Sequence, residues 1–184
     1  MFNSPFSSLN ATGAGLESLP PSLEPLRERM PEAVVVFAYR NKTPSAAGKA
    51  EHLKHVLQSQ RVRITDRVHD MHALLAASSI VIFPVDDLWG KVDQPIVLLE
   101  ALALGVPCVV LNQGPLRDVE GAAKLDTIAV RDWLETISSL VVPSAARADA
   151  IEAGRTAASS VYASGVVARA YEAIYLRVLE RRRS

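Results

Sequence analysis

Short runs of aliphatic and β-branched residues recur along the chain, separated by longer stretches in which apolar residues fall at helical spacing. The runs are AVVVFAY (Ala33 to Tyr39), VRIT (Val62 to Thr65), IVIFPV (Ile80 to Val85), PCVVLN (Pro107 to Asn112) and DTIAV (Asp126 to Val130). Their brevity and β-branched content predict strands, and their near-continuous apolarity predicts strands covered on both faces. The segments between them predict helices at Ala47 to Gln60, His69 to Ser78, Pro95 to Leu104 and Pro115 to Ala122. Strand alternating with helix implies parallel βαβ units. The expected fold class is therefore α/β, a doubly wound, Rossmann-like parallel sheet followed by C-terminal helices.

Both ends depart from this alternation. Residues 1–11 mix Ser, Pro and Asn and are expected to be loose, and the Leu spacing becomes helical only towards LEPLRERM. From Ser144 the pattern is helical, with Val167, Tyr171, Ile174, Tyr175 and Val178 on one apolar face and with Gly154 and Gly165 as expected breaks. No internal repeat or low-complexity linker interrupts residues 12–184, which are expected to form one domain.

Composition narrows the possible functions. At 184 residues and 49% hydrophobic the chain suits one domain with a substantial core. Lys plus Arg (20) balances Asp plus Glu (20), so charge gives no reason to expect a nucleic-acid partner, although the end RVLERRRS is locally basic. Cys108, in the run PCVVL, has no disulfide partner and reads as a small buried thiol suited to a reducing compartment. No basic start precedes an apolar stretch, and ALALGVPCVVL is far shorter than the ~18 residues that span a bilayer. A cytoplasmic protein is expected, at most peripheral to a membrane. The sequons at Asn10 and Asn41 then count as chance matches.

Several candidate motifs fall away on chemical grounds. GAGLES at Gly13 lacks the third glycine of a dinucleotide fingerprint and follows no strand, and AAGKA around Lys49 lacks the upstream glycine and the hydroxyl residue of a phosphate-binding P-loop. His52 with His55 and His69 with His72 sit at helical spacing, but a metal would need a third converging ligand, so the histidines read as surface residues and no metal site is expected. No serine elbow and no paired cysteine supports a hydrolase or redox reading.

What remains is the loop DDLWGKVDQP and the apolar run after it, PIVLLEALALGVPCVVLN, whose one carboxylate is Glu100. A helix apolar on every side is a buried helix, and an ionised group inside one needs either a structural partner or a ligand. Ligands of doubly wound sheets bind at the carboxyl ends of strands, where helix N-termini offer amides and a positive dipole end to phosphate. Lys91 could meet a phosphate, and Asp86, Asp87 and Asp93 could accept from hydroxyls. Pro95 suits the first turn of a helix whose natural cap is Asp93. Asp93 and Glu100, seven positions apart, would project from one side of that helix and suit a polyol.

The runs LRERMPEAVVVFAY, VRITDRVHDMHALLAASSIVIFPV, QPIVLLEALALGVPCVVLNQGPLRDV and ARAYEAIYLRVL resemble, in order and spacing, the sugar-nucleotide-binding half of retaining glycosyltransferases of family 4, group 1, which have two facing Rossmann-like domains, the GT-B architecture. The likeness covers about residues 12–180. It implies that Glu100 is the second of a pair of glutamates and holds the ribose hydroxyls of a nucleoside-diphosphate sugar, the donor substrate, with no separate cofactor. Val92 stands eight positions earlier where the first glutamate is expected, leaving Asp93 or Lys91 to do its work, and Gln94 and Pro95 replace a Phe-Gly pair. Ala14 and Gly15 occupy the place of a Lys-Gly pair that clamps the pyrophosphate, with Arg40 and Lys42 as substitutes, and Arg67 would lie beside the base. The resemblance singles out no catalytic residue.

The expectation is thus the donor-binding half of a hexosyltransferase-type enzyme of carbohydrate biosynthesis, working with an N-terminal acceptor domain or subunit that has no counterpart in this sequence, and not catalysing alone. The rival from another class is a non-enzymatic Rossmann-like interaction module that has lost donor binding and docks through its C-terminal helices. Val92 and the absent pyrophosphate clamp favour that rival.

Overall fold

The computed structural model describes residues 2–3, 25–38, 51, 55, 62–65, 68–83, 94–127 and 129–182. Six strands, β1 (Phe2–Asn3), β2 (Val35–Ala38), β3 (Val62–Thr65), β4 (Val81–Phe83), β5 (Cys108–Leu111) and β6 (Ala123–Leu125), form one sheet in the order β3-β2-β1-β4-β5-β6. Every pairing is parallel. The helices are α1 (Met71–Ala76), α2 (Ile96–Ala103), α3 (Val130–Val141), α4 (Ala145–Ser160) and α5 (Ser164–Arg181). A further helical stretch covers 25–29, and Gly114–Asp118 forms a 3-10 turn.

The period of the strands sorts the core into two layers. Val35, Phe37, Ile80, Ile82, Val109 and Leu111 face Leu26 and the buried side of α3, made by Trp133, Leu134, Ile137 and Leu140. Their neighbours Val81, Phe83, Cys108 and Val110 face Leu75 of α1 and Leu98, Ala101 and Leu102 of α2. Successive side chains of a strand point to opposite faces, so continuous apolar runs need helices on both sides, which is the doubly wound arrangement. The strand order reverses direction between β1 and β4, the topological switch point of such a sheet.

Four expectations are corrected. Phe2 and Asn3, inside the segment expected to be loose, form the strand between β2 and β4; the other residues of 1–11 lie outside the described residues. The described residues of the run DTIAV are not in a strand, and Ile128 lies outside the described residues. β6 lies upstream at Ala123–Leu125, where it pairs with β5, and the Thr127 hydroxyl accepts from the Ala129 N–H at 2.8 Å, turning the chain into α3. Residues 115–122 are not a full helix: the 3-10 turn ends at Asp118, and Gly121 reverses the chain at φ 79°. Finally, Gly154 lies inside α4 and Gly165 inside α5, and the break falls instead at 161–163. Of the helix expected over Ala47 to Gln60, Glu51 and His55 are described, and both are helical.

Gly154 is tolerated within a helix because of what it touches. A Cβ there would lie 3.0 Å from the Leu102 side chain, so glycine lets α4 seat directly on α2. At the carboxyl end of α2, Gly105 adopts φ 73°, its N–H donates to the Leu102 carbonyl at 3.0 Å and the Val106 N–H donates to the Ala101 carbonyl at 2.9 Å. This paired closure is a Schellman motif, and it turns the chain directly into β5.

Cys108 is buried beneath α2, its thiol near the carbonyls of Val106 (3.4 Å) and Leu98 (3.9 Å). Burial pushes the thiol up from 9.0 to about 12. At pH 8 the thiolate fraction is then about one in ten thousand, so the folded protein is expected to resist iodoacetamide, with alkylation followed by mass spectrometry appearing only in denaturant. The sign of the linkage is fixed as well: the folded state binds more protons than the unfolded one between the two values, so this group's contribution is intact below pH 9 and lost as pH rises towards 12.

Among α1 to α5, α5 alone has no buried residue. Val167, Tyr171, Ile174, Tyr175 and Val178, the face predicted from spacing, are all exposed, and the rings of Tyr171 and Tyr175 lie 6.4 Å apart. Among the described residues no helix is long and apolar enough to cross a membrane.

Candidate functional site

α2 follows the carboxyl end of β4 and carries Glu100 on its second turn. Its first turn has no side-chain cap: Pro95 occupies the N-cap position, and the helix begins at Ile96. Pro95 thus holds the cap position expected of Asp93, which itself lies outside the described residues. The uncapped turn leaves a positive dipole end towards the loop that follows β4.

The helix is not buried on all sides either. Leu98, Ala101 and Leu102 face the core, whereas Ile96, Ala103 and Leu104 are exposed. Glu100 lies between these faces with its side chain 32% exposed, so the carboxylate reaches water and does not carry the full cost of burial. Its Oε1 stands 3.2 Å from Nε2 of His72 on α1, whose side chain is 67% exposed. α1 is fixed at its start by Asp70, whose Oδ1 accepts from the Ala73 N–H at 2.8 Å. Leu75 on α1 joins Leu98 and Leu102 on α2 in one core layer, which sets the separation of the two helices beneath the His72–Glu100 pair.

His72 is a surface residue, as its spacing predicts. Its relation to Glu100 is not visible in the sequence pattern because the two residues lie on different helices. The available signal is that Leu75 shares the inward face of α1, which places His72 near its rim. Among the described residues no cluster of His, Cys, Asp and Glu could hold a metal ion.

Of the other predicted site residues, Gln94 is half-buried immediately before the N-cap of α2. Arg67, Lys91 and Asp93 lie outside the described residues, as do Asp86, Asp87, Val92, Arg40 and Lys42. The structure thus sets Gln94 at the start and Glu100 in the middle of one helix beside the switch point.

A separate cleft of about 330 Å³ lies between Met30, Val34, Ala77, Ile80 and Val141, with Glu32 on its rim. It opens at the amino ends of β2 and β4, the opposite end of the sheet from the loop that leads into α2. Ligands of doubly wound sheets bind at the carboxyl ends, so this cleft is not the counterpart of the site around Glu100.

A parallel sheet of this order, with helices on both faces and a helix N-terminus presented after β4, defines a Rossmann-like α/β domain. The family described as glycosyl transferases group 1 matches residues 15–142, more than half of the chain, and the chain belongs to it. No curated protein matches the sequence.

Proposed function

We propose that the chain is the donor-binding half of a retaining glycosyltransferase with the GT-B architecture of family 4, and that it binds the nucleotide of a nucleoside-diphosphate sugar along the first turns of α2. The observation that carries this reading is Glu100: a partly exposed carboxylate in an otherwise apolar helix that starts at the switch point of the sheet. A carboxylate accepts from two vicinal hydroxyls at once, which suits a ribose. The uncapped N-terminus of α2 suits a diphosphate, with Lys91 as counter-charge. Asp93 and Gln94 then serve the transferred sugar, and Arg67 the base. The donor is a substrate, and the reading calls for no separate cofactor.

Transfer also needs an acceptor held within about 3 Å of the anomeric carbon, and such positioning supplies a large part of the rate. The exposed apolar face of α5 supports a second domain or subunit that covers this helix and presents the acceptor. The chain alone is then a binding half. The second reading, a non-enzymatic interaction module, is favoured by Val92 at the position of an expected glutamate.

Thermal unfolding in the presence of nucleotides separates the two. A ligand that binds only the folded state stabilises it by mass action, and about 1 kcal/mol shifts the midpoint of a domain this size by roughly 2–4 °C. Millimolar uridine or guanosine diphosphate is expected to raise the midpoint by a few degrees. No shift with either would favour the interaction module.

A further inference from the structure

We infer that His72 is a positioning residue for the nucleotide site, holding the Glu100 carboxylate in the orientation that receives the ribose hydroxyls. The inference rests on the reading of Glu100 as the ribose ligand. Its own observation is the 3.2 Å approach of His72 Nε2 to Glu100 Oε1 across two packed helices. A glutamate on a partly exposed helix face has several rotamers, and a ligand that needs one of them must bear the entropy of fixing it. A nitrogen 3.2 Å from Oε1 favours the rotamer that keeps this approach, and the carboxylate, 32% exposed, still reaches water and can accept from a ligand.

The surroundings favour this role over a structural one. Both side chains are too exposed for their attraction to contribute much to folding, since exposed ion pairs are weak. Their backbones are nonetheless held firmly, α1 by its Asp70 cap and α2 by the Gly105 closure and the core beneath. The pair is therefore a weak contact on a rigid frame, which contributes orientation rather than stability.

Isothermal titration of the full chain with uridine and guanosine diphosphates tests this, with urea unfolding measured on the same variants. His72→Ala is expected to weaken binding about threefold to tenfold without moving the unfolding midpoint. His72→Gln, whose amide nitrogen reaches the place of Nε2, is expected to keep the wild-type affinity within about twofold. Wild-type affinity in His72→Ala, with binding still lost in Glu100→Gln, would overturn the role of His72 alone. Loss in both His72 variants, or loss together with a lowered midpoint, would make the residue structural and overturn it as well. Nucleotide binding that is absent, or indifferent to Glu100→Gln, would remove the reading of Glu100 and the role of His72 with it.

Discussion

Glu100→Gln is expected to weaken nucleoside-diphosphate binding by about ten- to a hundredfold while leaving resistance to urea close to wild type. Hydrogen bonds to a charged acceptor are worth about 1.5–3 kcal/mol, and glutamine keeps the size of the side chain while giving up the charge and one acceptor oxygen. The stability side follows from exposure. A carboxylate 32% open to water, paired with a histidine 67% open, loses at most about 1 kcal/mol when its charge is removed. A glutamate sealed in the core with a buried cation would lose about 3–5 kcal/mol. Urea unfolding and nucleotide titration on the same variant read both quantities. Marked destabilisation without nucleotide binding by the wild type would sink the donor-site reading.

Gly121→Val should be the most damaging change outside the strands, costing about 2–5 kcal/mol, or on the order of 10 °C in the thermal midpoint. Two separate penalties add. Gly121 adopts φ 79°, where a β-branched residue is strained, and a Cβ there would lie 2.9 Å from the Ala153 carbonyl oxygen and 2.9 Å from the Gly154 Cα. Both are backbone atoms of α4 and cannot swing aside. Gly114, at φ 50° with no atom within 4 Å of the place a Cβ would take, isolates the first penalty, so Gly114→Ala should cost only about 1–2 kcal/mol. Calorimetry that gives equal losses for the two variants would show that α4 yields. Because α4 is also the helix that seats Gly154 on Leu102, its displacement would be transmitted to α2 and hence to Glu100.

The interior of the sheet is legible in the sequence because its strands are unusually uniform. Runs such as VVVF and CVVL have no polar face, and this forces helices onto both sides. The outer elements are harder to read. Trp133, Leu134, Ile137 and Leu140 form a regular apolar stripe, yet the neighbouring DTIAV is the more β-branched run, and the strand β6 beside it is the short AKL, defined by its pairing with β5. β1 is two residues long and lacks any periodicity to read. At the site, a lone charge in an apolar run marks Glu100 as unusual. Its degree of exposure and its approach to His72 depend on how α1 packs beside α2, which no local pattern encodes.

The brevity of β1 bears on how the molecule assembles. Among the described residues, Phe2 and Asn3 bridge the sheet across its middle, and Phe2 aligns with Phe37 on one side and with Ile82 on the other. Ile82 lies eighty residues further along the chain, so on the ribosome β1 is made long before its second partner emerges. Contacts of such wide sequence separation form late and slow the search for the native state. Until then β1, β2 and β3 can pair only among themselves, and the edge of β1 that meets β4 stays open to other chains. Crowded synthesis of this protein therefore has a built-in interval of vulnerability that closes only when the strand ending in Phe83 leaves the exit tunnel.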